Sequence, residues 1–169
     1  LLIEKLTDLS ATGAKVLVFS QFTSFLDILR KRIDLELPGL SMVELTGSTR
    51  NRSQPVEQFE NSNDSIVMLA SMKAAGLGVT LKSADYVFLM DPWWNPAVEE
   101  QAIDRAHRIG RIKPTFIYRL VTKGTIEDRV RQLQVEKKET FNQIIGELNG
   151  ASGLTDHFNS LKELIELTD

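Results

Sequence analysis

Gln101, Arg105 and Arg108 fall at i, i+4 and i+7 in the segment that follows Pro96. That spacing sets an amide and two guanidiniums on one face of a helix. Two guanidinium forks side by side match the oxygens of a polyphosphate in charge and in geometry. Asp104 and Glu100 are the acids near enough to neutralise them, so an exposed, salt-bridged helix is the competing reading. Just upstream, Trp93–Trp94–Asn95–Pro96 leaves a strand for a loop. Neighbouring side chains on a strand point to opposite faces. One tryptophan of the pair is therefore expected to face solvent or a partner, where it could meet a base or a sugar.

No other constellation supplies a complete active site. His107 and His157 are the two histidines, too far apart in sequence for a local metal motif, and neither HExxH nor GxSxG occurs. A triphosphate-cradling loop ending in Gly-Lys-Ser/Thr is missing. Gly76–Leu77–Gly78 follows a strand but lacks the third glycine of a dinucleotide fingerprint. With no cysteine, disulfide frameworks, thiolate zinc sites and cysteine nucleophiles are excluded.

The chain has 169 residues, 42% hydrophobic and 25% charged, enough for one domain with a buried core rather than a disordered segment. The net charge of −3 argues against wholesale attraction to nucleic acid, but the charge is unevenly spread. Residues 1–104 carry 9 basic and 14 acidic side chains, residues 105–138 carry 10 and 3, and residues 139–169 carry 1 and 6. Screening confines the relevant field to about 8–10 Å, so the basic zone could bind phosphates locally; a solvated helix face is the bland alternative. Apolar runs such as Ile66–Ala70 and Val87–Met90 are far too short to span a bilayer. No secretory leader opens the chain, so an intracellular setting is expected. Starting at Leu1 rather than Met, the sequence reads as a piece of something longer.

Strand and helix signals alternate. Lys15–Phe19, Ser41–Leu45, Ile66–Ala70, Tyr86–Met90 and Thr115–Val121 read as strands, mostly continuous apolar runs. Phe22, Phe25, Leu26, Leu29 and Ile33 fall at helical spacing and end before Pro38–Gly39. Ser53 is expected to cap a helix through Phe59, with Pro55 tolerated in its first turn. Gly124–Thr125 precedes a long helical pattern from Ile126 to Leu148, and Gly150–Ala–Ser–Gly153 leads into a short amphipathic segment. Buried strands alternating with helices predict a three-layer α/β domain with a mainly parallel sheet and a helical tail. The expected divisions are 1–14 as a leading helix or linker, 15–123 as the sheet domain, 124–149 as a long helix, and 150–169 as hinge and terminal helix.

The motifs taken together are more specific than any one. Gln101–Ala–Ile–Asp–Arg–Ala–His–Arg–Ile–Gly110 resembles motif VI of the Swi/Snf-type ATPases within the superfamily 2 helicases. Val16–Phe22 resembles motif IV, and Leu45–Thr49 with Arg52 and Phe59 the block that follows it. Ser71–Leu81 resembles motif V, Asp91–Pro96 the block before motif VI, and Tyr118–Val121 with Gly124–Glu127 the segment after it. The similarity spans about residues 14–140. Arg111 stands where the family commonly has Gln, Ala75 replaces a frequent glycine, and Thr46 stands where many members carry Asp.

This resemblance implies the second RecA-like lobe of a two-lobe, DNA-dependent ATPase, with ATP and Mg²⁺ bound between the lobes and the cation held mainly by the first. It implies arginine fingers at Arg105 and Arg108, which stabilise charge on the transferring phosphoryl group. Gln101 would assist beside them, and Gly76 would approach the nucleotide closely. Ser20, Gln21, Ser48, Thr49, Ser71 and Lys73 match positions that touch the DNA backbone, and Trp94 the tryptophan that reaches duplex DNA. Such contacts position the protein and read little sequence. The implied partners are the first RecA-like lobe of the same parent and double-stranded DNA, in a bacterial nucleoid or a eukaryotic nucleus. Alone, this lobe is expected to hydrolyse no ATP, and apolar surface left without the first lobe would drive self-association. Two alternatives are a non-catalytic RecA-like module that binds DNA or protein, and a dinucleotide-dependent enzyme. The paired arginines disfavour the first and the missing fingerprint the second.

Overall fold

Val16 and Val18 face one side of a sheet while Leu17 and Phe19 face the other, so β1 must be covered on both sides. The computed structural model, which describes residues 1–75, 81–93, 99, 102, 103 and 114–150, provides that cover. Its elements in chain order are α1 (Leu2–Ser10), β1 (Lys15–Ser20), α2 (Thr23–Glu36), β2 (Ser41–Leu45), α3 (Ser53–Asn61), β3 (Ile66–Ser71), α4 (Met72–Ala75), β4 (Tyr86–Leu89), β5 (Phe116–Arg119) and α5 (Ile126–Gly150). The strands run in the order β2-β3-β1-β4-β5, and every neighbouring pair is parallel.

Two apolar layers result. On one face, Leu2 and Leu6 of α1 and Leu26, Leu29 and Ile33 of α2 pack on Val16, Val18, Val67, Leu69 and Phe88. On the other, Phe59 of α3, Met72 and Ala74 of α4, and the helical residues Ala102 and Ile103 pack with Leu17, Phe19, Met68, Val87 and Leu89. Burying a side chain the size of Phe19, Phe59 or Phe88 contributes about 1.5–3 kcal/mol. This is the three-layer α/β architecture of a RecA-like lobe. Adjacent strands β4 and β5 add an aromatic row on the first face, where Tyr86 stacks on Phe116 at 5.3 Å and Phe88 on Tyr118 at 4.9 Å between ring centroids.

Several local features differ from the sequence reading. Ser53 is the first helical residue of α3 rather than its cap. The cap position is Arg52, whose backbone is already helical, and no side chain bonds there. An arginine side chain carries donors and no acceptor, so it cannot serve the free N–H groups of the first turn, and Pro55 in that turn has no N–H to be served. Helix α3 also runs on to Asn61, β1 and β3 each gain a serine at their carboxyl ends, and β5 is shorter than the expected strand. Gly13, at φ +72° between α1 and β1, and Gly124, at φ +73° before α5, take the left-handed conformation that glycine alone enters without penalty.

The chain divides into two units, Leu1–Asp128 and Arg129–Asp169, with the division inside α5. The first holds the whole sheet. The described part of the second is helical through Gly150. The expected hinge and terminal helix beyond residue 150 lie outside the described residues. Among the described residues, no helix is long and apolar enough to cross a membrane.

Candidate nucleic-acid interface

The chain travels from β1 to the edge strand β2, returns to β3 beside β1, and then crosses to β4 on the other flank. In open parallel sheets, ligands sit outside the carboxyl ends of the strands near such a reversal. Each strand end here carries residues singled out from the sequence. Ser20 and Gln21 follow β1, Ser48 and Thr49 follow β2, Ser71 and Lys73 follow β3, and Asp91–Trp93 follow β4. The parallel register makes Ser20 and Ser71 direct partners across β1 and β3.

These residues differ in what they can offer. Ser20 and Ser71 are both buried. The Ser20 hydroxyl donates to Asp91 Oδ2 and also accepts the Phe22 amide at 3.0 Å. Ser71 Oγ accepts the Ala74 amide at 3.3 Å and so opens α4. Gln21 is exposed; its amide reaches Asp91 Oδ1 at 3.1 Å and its side-chain nitrogen donates to Pro92 O at 3.3 Å. Beyond β2, Thr49 Oγ1 accepts the Thr46 amide at 2.9 Å, and the Thr46 and Ser48 hydroxyls lie 2.8 Å apart. Those bonds fold Leu45–Thr49 into a tight turn that leaves Ser48 exposed and Thr49 half-buried. Lys73 stands exposed on α4. Trp93 is half-buried against the second apolar layer.

Asp91 ties β1 to β4. Its carboxylate collects the Ser20 hydroxyl and the Gln21 amide. A groove of about 560 Å³ lined by Phe22, Phe25, Ile28, Met90 and Leu120 borders it. Burial raises the Asp91 pKa above its ordinary 3.8, helped by the nearby negative charge of Glu127, while the bonds from Ser20 and Gln21 pull it back. Net, removal from water prevails.

Three contributors escaped the sequence reading. In sequence Asp91 stands out only as part of a block, and its partners Ser20 and Gln21 lie 71 and 70 positions upstream. Arg50, exposed just after Thr49, signals itself only as a cation beside a turn. Together with Arg52 and Lys73 it makes no salt bridge among the described residues. The third is an ion pair: Arg119 Nε meets Glu99 Oε1 at 2.6 Å, which withdraws one member of the basic zone from phosphate binding. Gly76, Trp94, Gln101, Arg105 and Arg108 lie outside the described residues. Also among the described residues, no three carboxylate or imidazole groups converge on a cation position.

Residues 1–110 match the family model of the helicase conserved C-terminal domain. Among curated proteins, the chain is 44% identical over 139 residues to the DNA repair protein RAD5A of Arabidopsis thaliana, covering 81% of this chain and 13% of that protein. It is 42% identical over 144 residues to the DNA repair protein rad8 of Schizosaccharomyces pombe, covering 85% and 12%. It is 42% identical over 146 residues to the human chromatin-remodeling ATPase INO80, covering 83% and 9%. The chain thus spans roughly an eighth or less of the length of these relatives. Among solved structures, the C-terminal part of the Fun30 ATPase domain superposes with a TM-score of 0.72 at 35% identity, covering 79% of this chain and 43% of that one.

Proposed function

Because the chain belongs to the helicase conserved C-terminal domain family, as the second RecA-like lobe of a Swi/Snf-type ATPase, we propose that it is half of a DNA-dependent motor. That motor translocates on duplex DNA and remodels protein–DNA complexes. The observation that carries the reading is the carboxyl rim. Three parallel strands, β1, β2 and β3, deliver Gln21, Ser48, Thr49, Arg50, Arg52 and Lys73 to one edge of the sheet. Hydroxyls, amides and cations that make no salt bridge among the described residues suit phosphate oxygens spaced along a backbone. Gln21, Ser48 and Lys73, being exposed, are direct contacts together with the rim cations Arg50 and Arg52; Ser20 and Ser71 act through the turns they hold, and Trp94 adds a contact to the duplex.

Arg105 and Arg108 are assigned as arginine fingers, with Gln101 and Gly76 at the nucleotide. ATP supplies the phosphoryl group that is transferred to water. The chain's own share is to place two fixed cations where charge develops on that group, a task that two adjacent guanidiniums fit. Mg²⁺ is assigned to the first RecA-like lobe, which supplies the Walker lysine and carboxylates absent from this sequence. The lobe alone is therefore inactive. Exposed Phe22 at the start of α2, Ile28 and Leu35 on α2, and Ile126 and Val135 on α5 give the isolated chain apolar surface for self-association. The relatives come from a plant, a fission yeast and human, which supports a nuclear setting over a bacterial nucleoid.

The test is ATP turnover by the full-length parent with and without duplex DNA, comparing wild type with Arg108→Ala. A finger contributes about 10³–10⁵ in rate. Collapse of DNA-stimulated turnover with ATP binding retained is the expected result; undiminished turnover would remove Arg108 from the chemistry.

A further inference from the structure

Among the described residues, Glu99 is the one charged side chain in the buried set. It is helical and lies two positions before Gln101, with Ala102 and Ile103, also helical, buried in the apolar layer beneath the sheet. Its carboxylate receives the Arg119 guanidinium at 2.6 Å, the Glu99 side chain being 10% exposed and Arg119 43%. Arg119 closes β5 and is held to the sheet in register with Leu89, and the next amide, Leu120 N–H, donates to Leu89 O at 2.9 Å. The pair therefore joins the start of the arginine-bearing segment to a fixed point at the sheet's carboxyl edge.

Stability does not explain such a pair. Removing a carboxylate from water costs about as much as the pairing returns, and an apolar pair of similar volume would do as well or better. Direction does explain it. The apolar contacts of Ala102 and Ile103 set how deeply this segment sits, but apolar packing is non-directional and permits rotation and sliding. A charge-assisted N–H···O bond of this length has a narrow range of angles and distances. We propose that Glu99 and Arg119 are positioning residues that fix the axial and rotational register of the segment carrying Gln101, Arg105 and Arg108. The proposal rests on the finger reading given above. It makes Arg119 part of the motor through the segment that its partner Glu99 opens.

The test uses the full-length parent and measures DNA-stimulated kcat and the KM for ATP in Glu99→Gln, Arg119→Lys, Arg108→Ala and the two combinations with Arg108→Ala. Displacing a catalytic group by about 1 Å can cost on the order of 100-fold. Glu99→Gln is expected to lower kcat by about 10- to 100-fold on that basis, with KM changed by less than about 3-fold, because the displaced group acts on the transition state rather than on binding. Arg119→Lys keeps the cation but loses the planar fork, and is expected to lower kcat less than Glu99→Gln does. The deciding reading is the combination. Once Arg108 is alanine, neither second substitution lowers kcat further, because residues acting as one unit are non-additive.

A wild-type kcat in Glu99→Gln, or the same fold-loss with and without Arg108, overturns the positioning role. Should Glu99→Gln fail to fold, Arg119→Lys with its Arg108→Ala partner gives the same comparison, since Arg119 is partly exposed and its replacement keeps the charge. Undiminished turnover in Arg108→Ala alone overturns the finger reading, and this inference with it, and that outcome is visible in the single variant before any combination is made.

Discussion

Ser20 and Ser71 face each other as the last register partners of β1 and β3, yet their hydroxyls serve different turns. Ser20 closes the rim towards β4 by bonding Asp91, and Ser71 turns the chain into α4 by accepting the Ala74 amide. Buried hydroxyls must find such partners. The rim's exposed groups thus stand on turns set from beneath.

Asp91 makes that arrangement sensitive to pH. Its raised pKa means that the folded state holds its proton to higher pH than the unfolded chain does. The associated stability is fully present below the ordinary value of 3.8 and is lost as pH rises through the folded value. Asp91→Asn removes this titration. The stability of wild type relative to Asp91→Asn is therefore expected to fall as pH rises from below 3.8 and to level off once Asp91 is ionised. Urea melts across that range check it, and a difference that rises with pH would contradict the burial-dominated environment.

Arg50, Arg52 and Lys73 are predicted phosphate contacts. Each one changed to Gln in the parent should lower the slope of log binding constant against log salt by about 0.9. Affinity should fall to a similar extent on unrelated duplex sequences, since phosphate contacts carry no sequence information. Three variants with the wild-type slope would place these cations away from the DNA.

Gly13→Ala should cost about 1–2 kcal/mol of folding stability, the penalty of left-handed backbone for an L-residue. A Cβ there would meet nothing closer than Asn63 O at 3.9 Å, so the loss would be conformational rather than steric. Gly39→Ala is the control: it has open space around it and no positive φ, and its effect should be much smaller. Equal losses in denaturant melts would show that turn dihedrals are not the cause.

Phe59→Ala should destabilise by about 3–5 kcal/mol, since removing a buried aromatic leaves a cavity. Phe59 is fully buried beneath β2 and β3, whereas Ile28 on α2 is 65% exposed. Ile28→Ala should stay within about 0.5 kcal/mol of wild type. A small loss at Phe59 would mean that α3 does not seal that face.

How much could be read in advance follows from the range of each signal. Val16–Phe19 and Ile66–Ala70 reveal themselves as strands because both faces are covered, and such strands need continuous apolar residues. Gly124–Thr125 announces α5, and Thr125 Oγ1 does accept the Glu127 amide at 3.3 Å. The residues following β1, β2 and β3 stand out in sequence through their motifs, but neither their gathering at one rim nor their burial does. Whether a serine on a strand end is buried depends on what lies across the sheet, and sequence does not say that β3 rather than β2 sits beside β1. The same gap hid Asp91 and the Glu99–Arg119 pair, whose members are joined by folding across 70 and 20 positions.

The strand order has a consequence for how the chain is made. β1, at the centre of the sheet, pairs only with β3 and β4, so Lys15 waits for Ile66 and Val16 for Tyr86. At about 5–20 residues per second of synthesis, Val16–Phe19 spends seconds outside the ribosome before any partner strand exists. It is an uncharged, β-branched apolar stretch, the kind that pairs with other chains when left open. Parallel pairings this distant also close slowly, with folding of non-local sheets taking milliseconds to seconds. The strand that anchors the finished sheet is therefore, in the nascent chain, the segment a chaperone would be expected to hold.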